Sequence, residues 1–175
     1  MKTITVYGSA RIRPGDADYD ISVIVGHKLA EAGYAVMTGG YNGVMEAISK
    51  GAHEAGGHVI GVTTDQIGKQ YNVVPNTYID EVINYAELRD RLLYMVLNAD
   101  GYIAMPGGVG TLHEIAETWE LMRINGMPKR PFMCYGAQWE TVIRTLQRSP
   151  YLGDEYDDML TIVHTPDQAI EGLTV

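Results

Sequence analysis

Residues 102–114 read YIAMPGGVGTLHE, and they combine a short apolar strand, a glycine-rich turn and the beginning of a helix. The apolar run at 102–105, bounded by Pro106, predicts a strand. Apolar residues recur at helical spacing after the glycines, and we predict a helix over 111–124. A strand that passes through a tight turn into a helix is the unit from which parallel α/β sheets are built.

The same alternation of strands and helices continues on both sides of this stretch. The apolar runs predict further strands at 1–7, 34–37, 59–62, 132–135 and 160–163. Helical spacing and glycine stops predict helices at 18–32, 44–55, 84–98 and 139–147 and a terminal helical turn. Short, uniformly apolar strands between helices are typical of a parallel sheet that is covered on both faces. We therefore predict an α/β fold for residues 1–175, a single domain with a three-layer, Rossmann-like, doubly wound parallel sheet.

Residues 63–82 show neither the helical nor the strand period cleanly. The segment contains Gly68, Pro75 and Asn76, which favour turns and loops. We predict a long irregular connection, and connections of this length often cover a binding site as a lid.

The composition excludes several classes of function. The 175 residues include 13 basic and 22 acidic residues, for a formal net charge of -9, so an extended phosphate backbone would be repelled. The sequence has no apolar run long enough to span a bilayer. The single cysteine, Cys134, cannot form an internal disulfide and fits a reducing compartment. We therefore expect a cytoplasmic protein that binds neither a nucleic-acid polymer nor a membrane.

Small residues follow three of the predicted strands. They are Gly8-Ser9, Thr38-Gly39-Gly40 with Gly43, and the turn at 106–111. The carboxyl ends of parallel strands lie at one edge of the sheet, where such folds bind ligands. Backbone N–H groups at a helix start can hold a phosphate, and the last turn is the best candidate for this. The alternative is that tight strand-to-helix turns simply need glycine.

Several common cofactor and metal motifs are missing. The first strand is followed by no Gly-x-Gly-x-x-Gly, and no loop ends in Gly-Lys-Ser/Thr, which disfavours NAD and triphosphate binding. In His113-Glu114-Ile115-Ala116-Glu117, a glutamate stands where a zinc protease has its second histidine. None of the five lysines lies in a recognisable Schiff-base motif at the glycine-rich edge. We expect no metal site and no cofactor.

Arg91 and Glu114 are the charged residues that the predicted fold brings to this edge. Arg91 lies eight residues before Ala99, roughly 12 Å along a helix, and the next strand climbs back roughly 13 to 16 Å. Arg91 is thereby level with the glycine turn and Glu114. Each residue also has a simpler interpretation, because Glu114 could form a capping box with Thr111 and Arg91 a surface ion pair with Glu87.

Residues 106–114 resemble the Pro-Gly-Gly-x-Gly-Thr-x-x-Glu signature of the Lonely Guy (LOG) family. This family comprises the cytokinin riboside 5′-monophosphate phosphoribohydrolases, and many members were formerly labelled possible lysine decarboxylases. The resemblance extends over residues 3–135, with Gly8-Ser9, Gly39-Gly40-x-x-Gly43-Val44-Met45 and an arginine, Arg91, fifteen residues before Pro106.

The resemblance implies a hydrolase that cleaves the N-glycosidic bond of a nucleoside 5′-monophosphate. The substrate would be AMP or a cytokinin riboside monophosphate, and the products a free base and ribose 5-phosphate. The family implies that Glu114 and Arg91 are catalytic. The residues that would bind the phosphate are Gly107, Gly108, Val109, Gly110 and Thr111. The residues that would line the nucleotide pocket are Gly8, Ser9, Gly39, Gly40, Gly43, Met45 and Met95.

A second resemblance keeps an alternative open. Gly43-Val44-Met45-Glu46-Ala47 and the glycines at 51–57 look more like the related branch that includes molybdenum cofactor carrier proteins. A carrier or nucleotide-binding protein would use the same turn without turnover. Simple anion binding, however, gains nothing from an acidic residue such as Glu114 beside the phosphate.

The predicted helix that carries Arg91 also suggests a homodimer. Residues 92–97 read LLYMVL, and six consecutive nonpolar positions cover every side of a helix. One face can pack on the sheet, and the other would expose an apolar patch that monomers seldom show. We expect a second copy of the chain to cover this face.

Overall fold

A seven-stranded parallel sheet runs through the computed structural model, which describes residues 1–174. The strand order is β4-β3-β2-β1-β5-β6-β7, and each neighbouring pair is parallel. The strands are β1 (Thr3–Tyr7), β2 (Ala35–Thr38), β3 (Val59–Thr64), β4 (Glu81–Tyr85), β5 (Gly101–Ala104), β6 (Phe132–Tyr135) and β7 (Thr161–Val163). The order reverses between β1 and β5, which is the switch point of a doubly wound sheet.

Helices cover both faces of this sheet within residues 1–174. They are α1 (Ala17–Glu31), α2 (Val44–Glu54), α3 (Asp65–Tyr71), α4 (Leu88–Leu97), α5 (Val109–Arg123), α6 (Ala137–Gln147) and α7 (Pro166–Glu171). Buried residues of α1, α2 and α7 join one apolar cluster, and those of α4, α5 and α6 join another. The three-layer, Rossmann-like architecture is therefore confirmed.

The two apolar clusters use alternate residues of the central strand. Ile4 and Val6 of β1 face the cluster with α1 and α2, whereas Tyr7 belongs to the cluster with α4 and α5. Thr5 is also buried, and its Oγ1 donates to the carbonyl oxygen of Met95 at 3.0 Å. A strand that packs on both sides shows an unbroken apolar run with little alternation, which is why the sequence pattern predicted it well.

The segment from 63 to 98 differs from the prediction. The expected irregular connection at 63–82 contains α3 and the first two residues of β4, and the helix expected at 84–98 begins only at Leu88. β4 lies at the sheet edge, and its residues are exposed or half-buried. An edge strand of this kind lacks the apolar run of a buried strand, so its sequence gave no clear signal.

The predicted lid at 63–82 lies against the second glycine-bearing strand end. Asn76 donates from its backbone N–H to the Gly40 carbonyl oxygen at 2.9 Å and from Nδ2 to the Tyr41 carbonyl oxygen at 3.0 Å. The α3 helix in this segment buries none of its residues. That this segment covers a binding site as a lid stays a prediction.

No helix in residues 1–174 has both the length and the apolar character needed to cross a membrane.

Candidate active site

Three loops at the carboxyl edge of the sheet meet at Ser9. Its N–H donates to the Pro106 carbonyl oxygen at 3.1 Å, and its carbonyl oxygen accepts from the Val44 N–H at 2.8 Å. Gly8 fits against Val44, whose side chain would lie 2.6 Å from a β-carbon at position 8. The loops after β1, β2 and β5 are therefore joined directly, as expected from a shared sheet edge.

The N-terminus of α5 offers a row of backbone donors. The helix begins at Val109, two residues before the predicted start, and its first hydrogen bond runs from the Leu112 N–H to the Gly108 carbonyl oxygen. The N–H groups of residues 108–111 precede this bond, so the helix leaves them unused. Gly108, Val109 and Gly110 are exposed. This turn can accept an anion from solvent.

Gly107 has a different role from the one expected. Its N–H donates to Oε1 of Gln138 at 3.1 Å, so this donor is already used. A β-carbon at position 107 would lie 2.2 Å from Oγ1 of Thr111, a distance that excludes larger residues. Gly107 therefore shapes the turn, and the amides that the helix leaves unused are those of residues 108–111.

Arg91 is buried beneath the second glycine-bearing loop. Only 5% of this residue is exposed. Its Nε donates to the Val62 carbonyl oxygen at 2.7 Å, and its Nη2 donates to the Gly39 carbonyl oxygen at 3.1 Å. The surface ion pair with Glu87 is therefore wrong, and Glu87 accepts from Gln66 instead.

Gly39 makes the position of Arg91 possible. A β-carbon at residue 39 would lie 1.9 Å from Nη2 of Arg91 and 2.6 Å from Sδ of Met45. The guanidinium also lies 5.9 Å from the centre of the Tyr41 ring, within the range of a cation–π interaction. A residue larger than glycine at position 39 would displace the arginine.

Glu114 is half-buried, and the protein packs around its carboxyl group. Burial raises its pKa to about 7, and the positive charge of Arg91 opposes this rise by a smaller amount. In the same way, burial lowers the pKa of Arg91 and Glu114 raises it. Within residues 1–174, Arg91 and Glu114 do not form a salt bridge with each other. Their charges interact without direct contact.

The capping-box interpretation of Glu114 is wrong. Because α5 begins at Val109, Gly108 is the N-cap residue, and no side chain caps it within the described part of the chain. Thr111 and Glu114 lie inside the helix. The carboxyl group of Glu114 is thus left for another role.

Thr118 contacts the backbone of Glu114, and Tyr7 contacts Thr118. The Thr118 hydroxyl donates to the Glu114 carbonyl oxygen at 2.8 Å and lies 3.2 Å from the Tyr7 hydroxyl, which is therefore the donor in that pair. Burial raises the pKa of Tyr7 well above its ordinary value, and the charge of Glu114 adds to the rise. Tyr7 stays neutral in this environment.

The remaining predicted pocket residues divide into two groups. Met45 is half-buried and lies beside Gly39, and Gly40 donates its N–H to Oγ1 of Thr38 at 3.1 Å. Gly43 is buried and precedes α2. Met95, in contrast, is 1% exposed and belongs to the apolar core, so it does not line an open pocket.

The sequence analysis missed Gln138, Tyr41 and Asn76. Gly136 directly follows β6, and this glycine was a signal for a fourth strand end of the same kind. Gln138 lies two residues after it. Tyr41 directly follows Gly40, but nothing local marked it as a contact of Arg91. Asn76 lies in the segment without a clear period.

The main cavity of the described residues does not include the charged pair. This cavity, of about 560 Å³, lies where β6 and β7 begin, and its lining includes Arg130, Phe132 and Asp158 but neither Arg91 nor Glu114. No group of three or more metal-ligating side chains occurs within residues 1–174. The groups that the chain places near this edge include one carboxyl group, one guanidinium and the amides of α5.

The fold and the sheet edge define a Rossmann-like α/β protein with a helix N-terminus placed to accept an anion. The model of the family described as possible lysine decarboxylase matches residues 45–173. The chain belongs to this family, and the resemblance to the LOG proteins is confirmed.

Two curated plant proteins illustrate the relationship. The chain is 35% identical over 132 residues to the cytokinin riboside 5′-monophosphate phosphoribohydrolase LOG of Oryza sativa subsp. japonica, a match that covers 73% of this chain and 53% of the relative. It is 38% identical over 95 residues to LOG5 of Arabidopsis thaliana, which has the same enzyme name, covering 53% of this chain and 41% of the relative. The chain thus spans about half the length of the curated relatives it matches.

A solved structure of a binding protein has a similar fold. The molybdenum cofactor binding protein from the phototrophic bacterium Rippkaea orientalis aligns with a TM-score of 0.75 at 25% identity, covering 97% of this chain and 93% of that chain.

Proposed function

We propose that this protein hydrolyses the N-glycosidic bond of a nucleoside 5′-monophosphate, of the AMP or cytokinin riboside type. The products are the free base and ribose 5-phosphate. The observation that carries the proposal is the desolvated carboxyl group of Glu114, coupled to the buried charge of Arg91, on the helix whose first turn offers unused amides. The names of the curated relatives support the same reaction.

The first turn of α5 binds the 5′-phosphate. The N–H groups of residues 108–111 donate to its oxygens, and the positive end of the helix dipole favours its charge. Phosphate is remote from the bond that breaks, so its binding energy can orient the ribose without taking part in the chemistry.

Glu114 acts on the ribose. Cleavage of a glycosidic bond develops positive charge on the sugar, and a carboxylate nearby stabilises this charge and positions a water molecule. With a pKa of about 7, Glu114 is ionised in a substantial fraction of molecules at neutral pH. Its carboxylate is half-buried, so its interaction with the sugar is screened less than it would be in bulk water.

Arg91 supplies a fixed positive charge to the site. Its bonds to the carbonyl oxygens of Val62 and Gly39 fix the guanidinium, so it supplies an oriented positive charge to Glu114 and to bound substrate. This charge favours the ionised form of Glu114. Removing Arg91 would raise the pKa of Glu114 further and leave less active carboxylate at pH 7.

The test is an assay of base release. Purified protein is incubated with a panel of nucleoside 5′-monophosphates, and released base is measured by chromatography. We expect release from AMP or a related purine monophosphate and little from adenosine, which lacks the phosphate. Absence of base release from every monophosphate would contradict the proposal.

The second candidate function is a binding or carrier protein for a nucleotide or the molybdenum cofactor. The fold similarity to the Rippkaea orientalis binding protein favours it, together with the Gly43–Ala47 sequence. Such a protein would bind its ligand at the same edge and release no base. The same assay, combined with a binding measurement, separates the two functions.

We also propose that the protein is a cytoplasmic homodimer. The lone, buried Cys134 supports a reducing compartment. Leu97 and Leu88 on α4 are 44% and 40% exposed, which supports a second copy over this helix. Val96 of the same helix is covered by its own chain, so only part of the predicted apolar surface is left for a partner.

A further inference from the structure

Gln138, in the first turn of α6, is bonded to both polar groups of the Gly107 backbone. The Gly107 N–H donates to Oε1 at 3.1 Å, and Nε2 donates to the Gly107 carbonyl oxygen at 2.7 Å. One amide side chain therefore satisfies the donor and the acceptor of this residue together. The contact joins residues 31 positions apart, so it lies outside the signature at 106–114.

A second contact attaches the same turn of α6 to the end of β5. Trp139 is 2% exposed, and its Nε1 donates to the Met105 carbonyl oxygen at 2.8 Å. Neighbouring residues of α6 thus bind positions 105 and 107. The buried indole of Trp139 anchors the first turn of α6, and Gln138 contacts Gly107 from this anchored turn.

The two bonds from Gln138 hold the backbone of Gly107 directly before the unused amides of α5. In a regular helix the Gly107 carbonyl oxygen would accept from the N–H of Thr111, four residues later. Here the Gly107 carbonyl is held by Gln138 and Gly108 is extended, and the first bond of α5 starts from Leu112. The Thr111 N–H therefore stays in the row of donors. A carbonyl oxygen that turned toward the anion would also repel it.

We propose that Gln138 is a positioning residue that holds the turn before α5 in its phosphate-binding conformation and thereby sets the affinity for the phosphate group of the substrate. Gln138 contacts the backbone and does not touch the phosphate. The inference rests on the proposed function of this turn as the phosphate site, and it does not depend on the chemistry of Glu114.

The test compares Gln138→Ala with Gln147→Ala, a change of an exposed glutamine at the other end of α6. We expect Gln138→Ala to raise the KM for AMP and the inhibition constant of inorganic phosphate about tenfold, as for the loss of one or two neutral hydrogen bonds. The kcat should change much less, and residual hydrolysis of adenosine should be unchanged, because neither depends on phosphate affinity. Gln147→Ala should match the wild type.

Gln138→Glu provides a second variant if Gln138→Ala does not fold. When ionised, it retains an acceptor for the Gly107 N–H but cannot donate to the carbonyl, and it adds a negative charge, so phosphate should bind at least as weakly as in Gln138→Ala. Unchanged phosphate inhibition in a folded variant, or a loss of kcat alone, would overturn the proposal.

A calorimetric titration with inorganic phosphate separates this proposal from the proposed reaction. If the wild type releases no base but binds phosphate more tightly than Gln138→Ala, the reaction is wrong and the role of Gln138 stands. If both bind phosphate equally, the role of Gln138 is wrong whatever the activity. If the wild type binds no phosphate, the site and the role of Gln138 are both wrong.

Discussion

Glu114 is the site residue whose pKa depends most on the groups packed around it. An exposed glutamate has a pKa near 4.3, and burial of Glu114 raises this value to about 7 despite the nearby charge of Arg91. A carboxyl group that is costly to ionise is often found where an enzyme uses it. Its titration should therefore be visible in both activity and stability.

We predict that Glu114→Gln lowers kcat by at least about a hundredfold, because the amide keeps the shape of the side chain but cannot carry the negative charge that stabilises the sugar cation. The measurement is base release from AMP. Glu117→Gln, one turn later on α5, serves as the matched control and should retain wild-type activity. A fully active Glu114→Gln protein would remove Glu114 from the reaction.

The same substitution should change stability in a pH-dependent way. The folded protein binds a proton at Glu114 more tightly than the unfolded chain, so the wild type loses stability as the pH rises from about 4 to about 7. We predict that Glu114→Gln gains roughly 1–3 kcal/mol relative to wild type between pH 4 and pH 8. Urea unfolding at both pH values measures this. An equal difference at the two pH values would contradict the raised pKa.

The activity of the wild type should depend on pH through the same group. Because the ionised carboxylate is the active form, kcat/KM for AMP should fall as the pH drops below about 7 and level off above it. Rates measured from pH 5 to pH 9 test this dependence. A rate that rises toward acidic pH would instead assign Glu114 the role of a general acid.

At the scale of elements, the N-terminus of α5 is the structure that should hold the phosphate. Val109 occupies its first position and is 84% exposed, and its N–H precedes the first helical hydrogen bond. Proline is tolerated at this position because the N–H has no partner in the helix. The preceding residue, Gly108, is extended, as proline requires.

We predict that Val109→Pro weakens phosphate inhibition about tenfold or more, since it removes one donor to a charged group while α5 remains intact. Val109→Ala keeps the N–H and is the control, with wild-type inhibition expected. Circular dichroism verifies the helix content of both variants. Equal inhibition in both, or phosphate found only away from residues 108–111 in crystals soaked with AMP, would place the phosphate elsewhere.

At the scale of the whole molecule, exposed apolar side chains lie on the helices that carry the site. Leu88 and Leu97 lie on α4, and Val109 and Leu112 on α5, each at least 38% exposed. The opposite face of the sheet has Ile24 on α1, 46% exposed. A second copy over α4 would shield Leu88 and Leu97 and leave Ile24 in water.

We predict that the protein sediments as a dimer, at twice the mass of one chain, and that Leu97→Asp shifts it toward the monomer. A charged side chain in an apolar interface loses its hydration, so association becomes weaker. Ile24→Asp, a matched change on the other face, should leave the dimer intact. A stable wild-type monomer at micromolar concentration would contradict this prediction.

The alternating architecture, and the part of the site that is local in the chain, could be predicted from the amino-acid sequence alone. Buried strands such as 102–105 are unbroken apolar runs and the amphipathic helices have a clear period, and the signature at 106–114 places glycines, a helix start and Glu114 within nine residues. The position of Arg91 at this edge also followed from helix and strand lengths. These features depend on neighbours in sequence.

Four features could be seen only in the folded chain. They are the edge strand β4, the bonds of Arg91 to Val62 and Gly39, the bonds of Gln138 to Gly107 and the raised pKa of Glu114. An edge strand is stabilised by its partner strand and need not be apolar. A hydrogen bond between distant residues leaves no period in the sequence. A pKa shift by burial depends on the groups that pack around a carboxyl group in three dimensions, and these come from several separate elements.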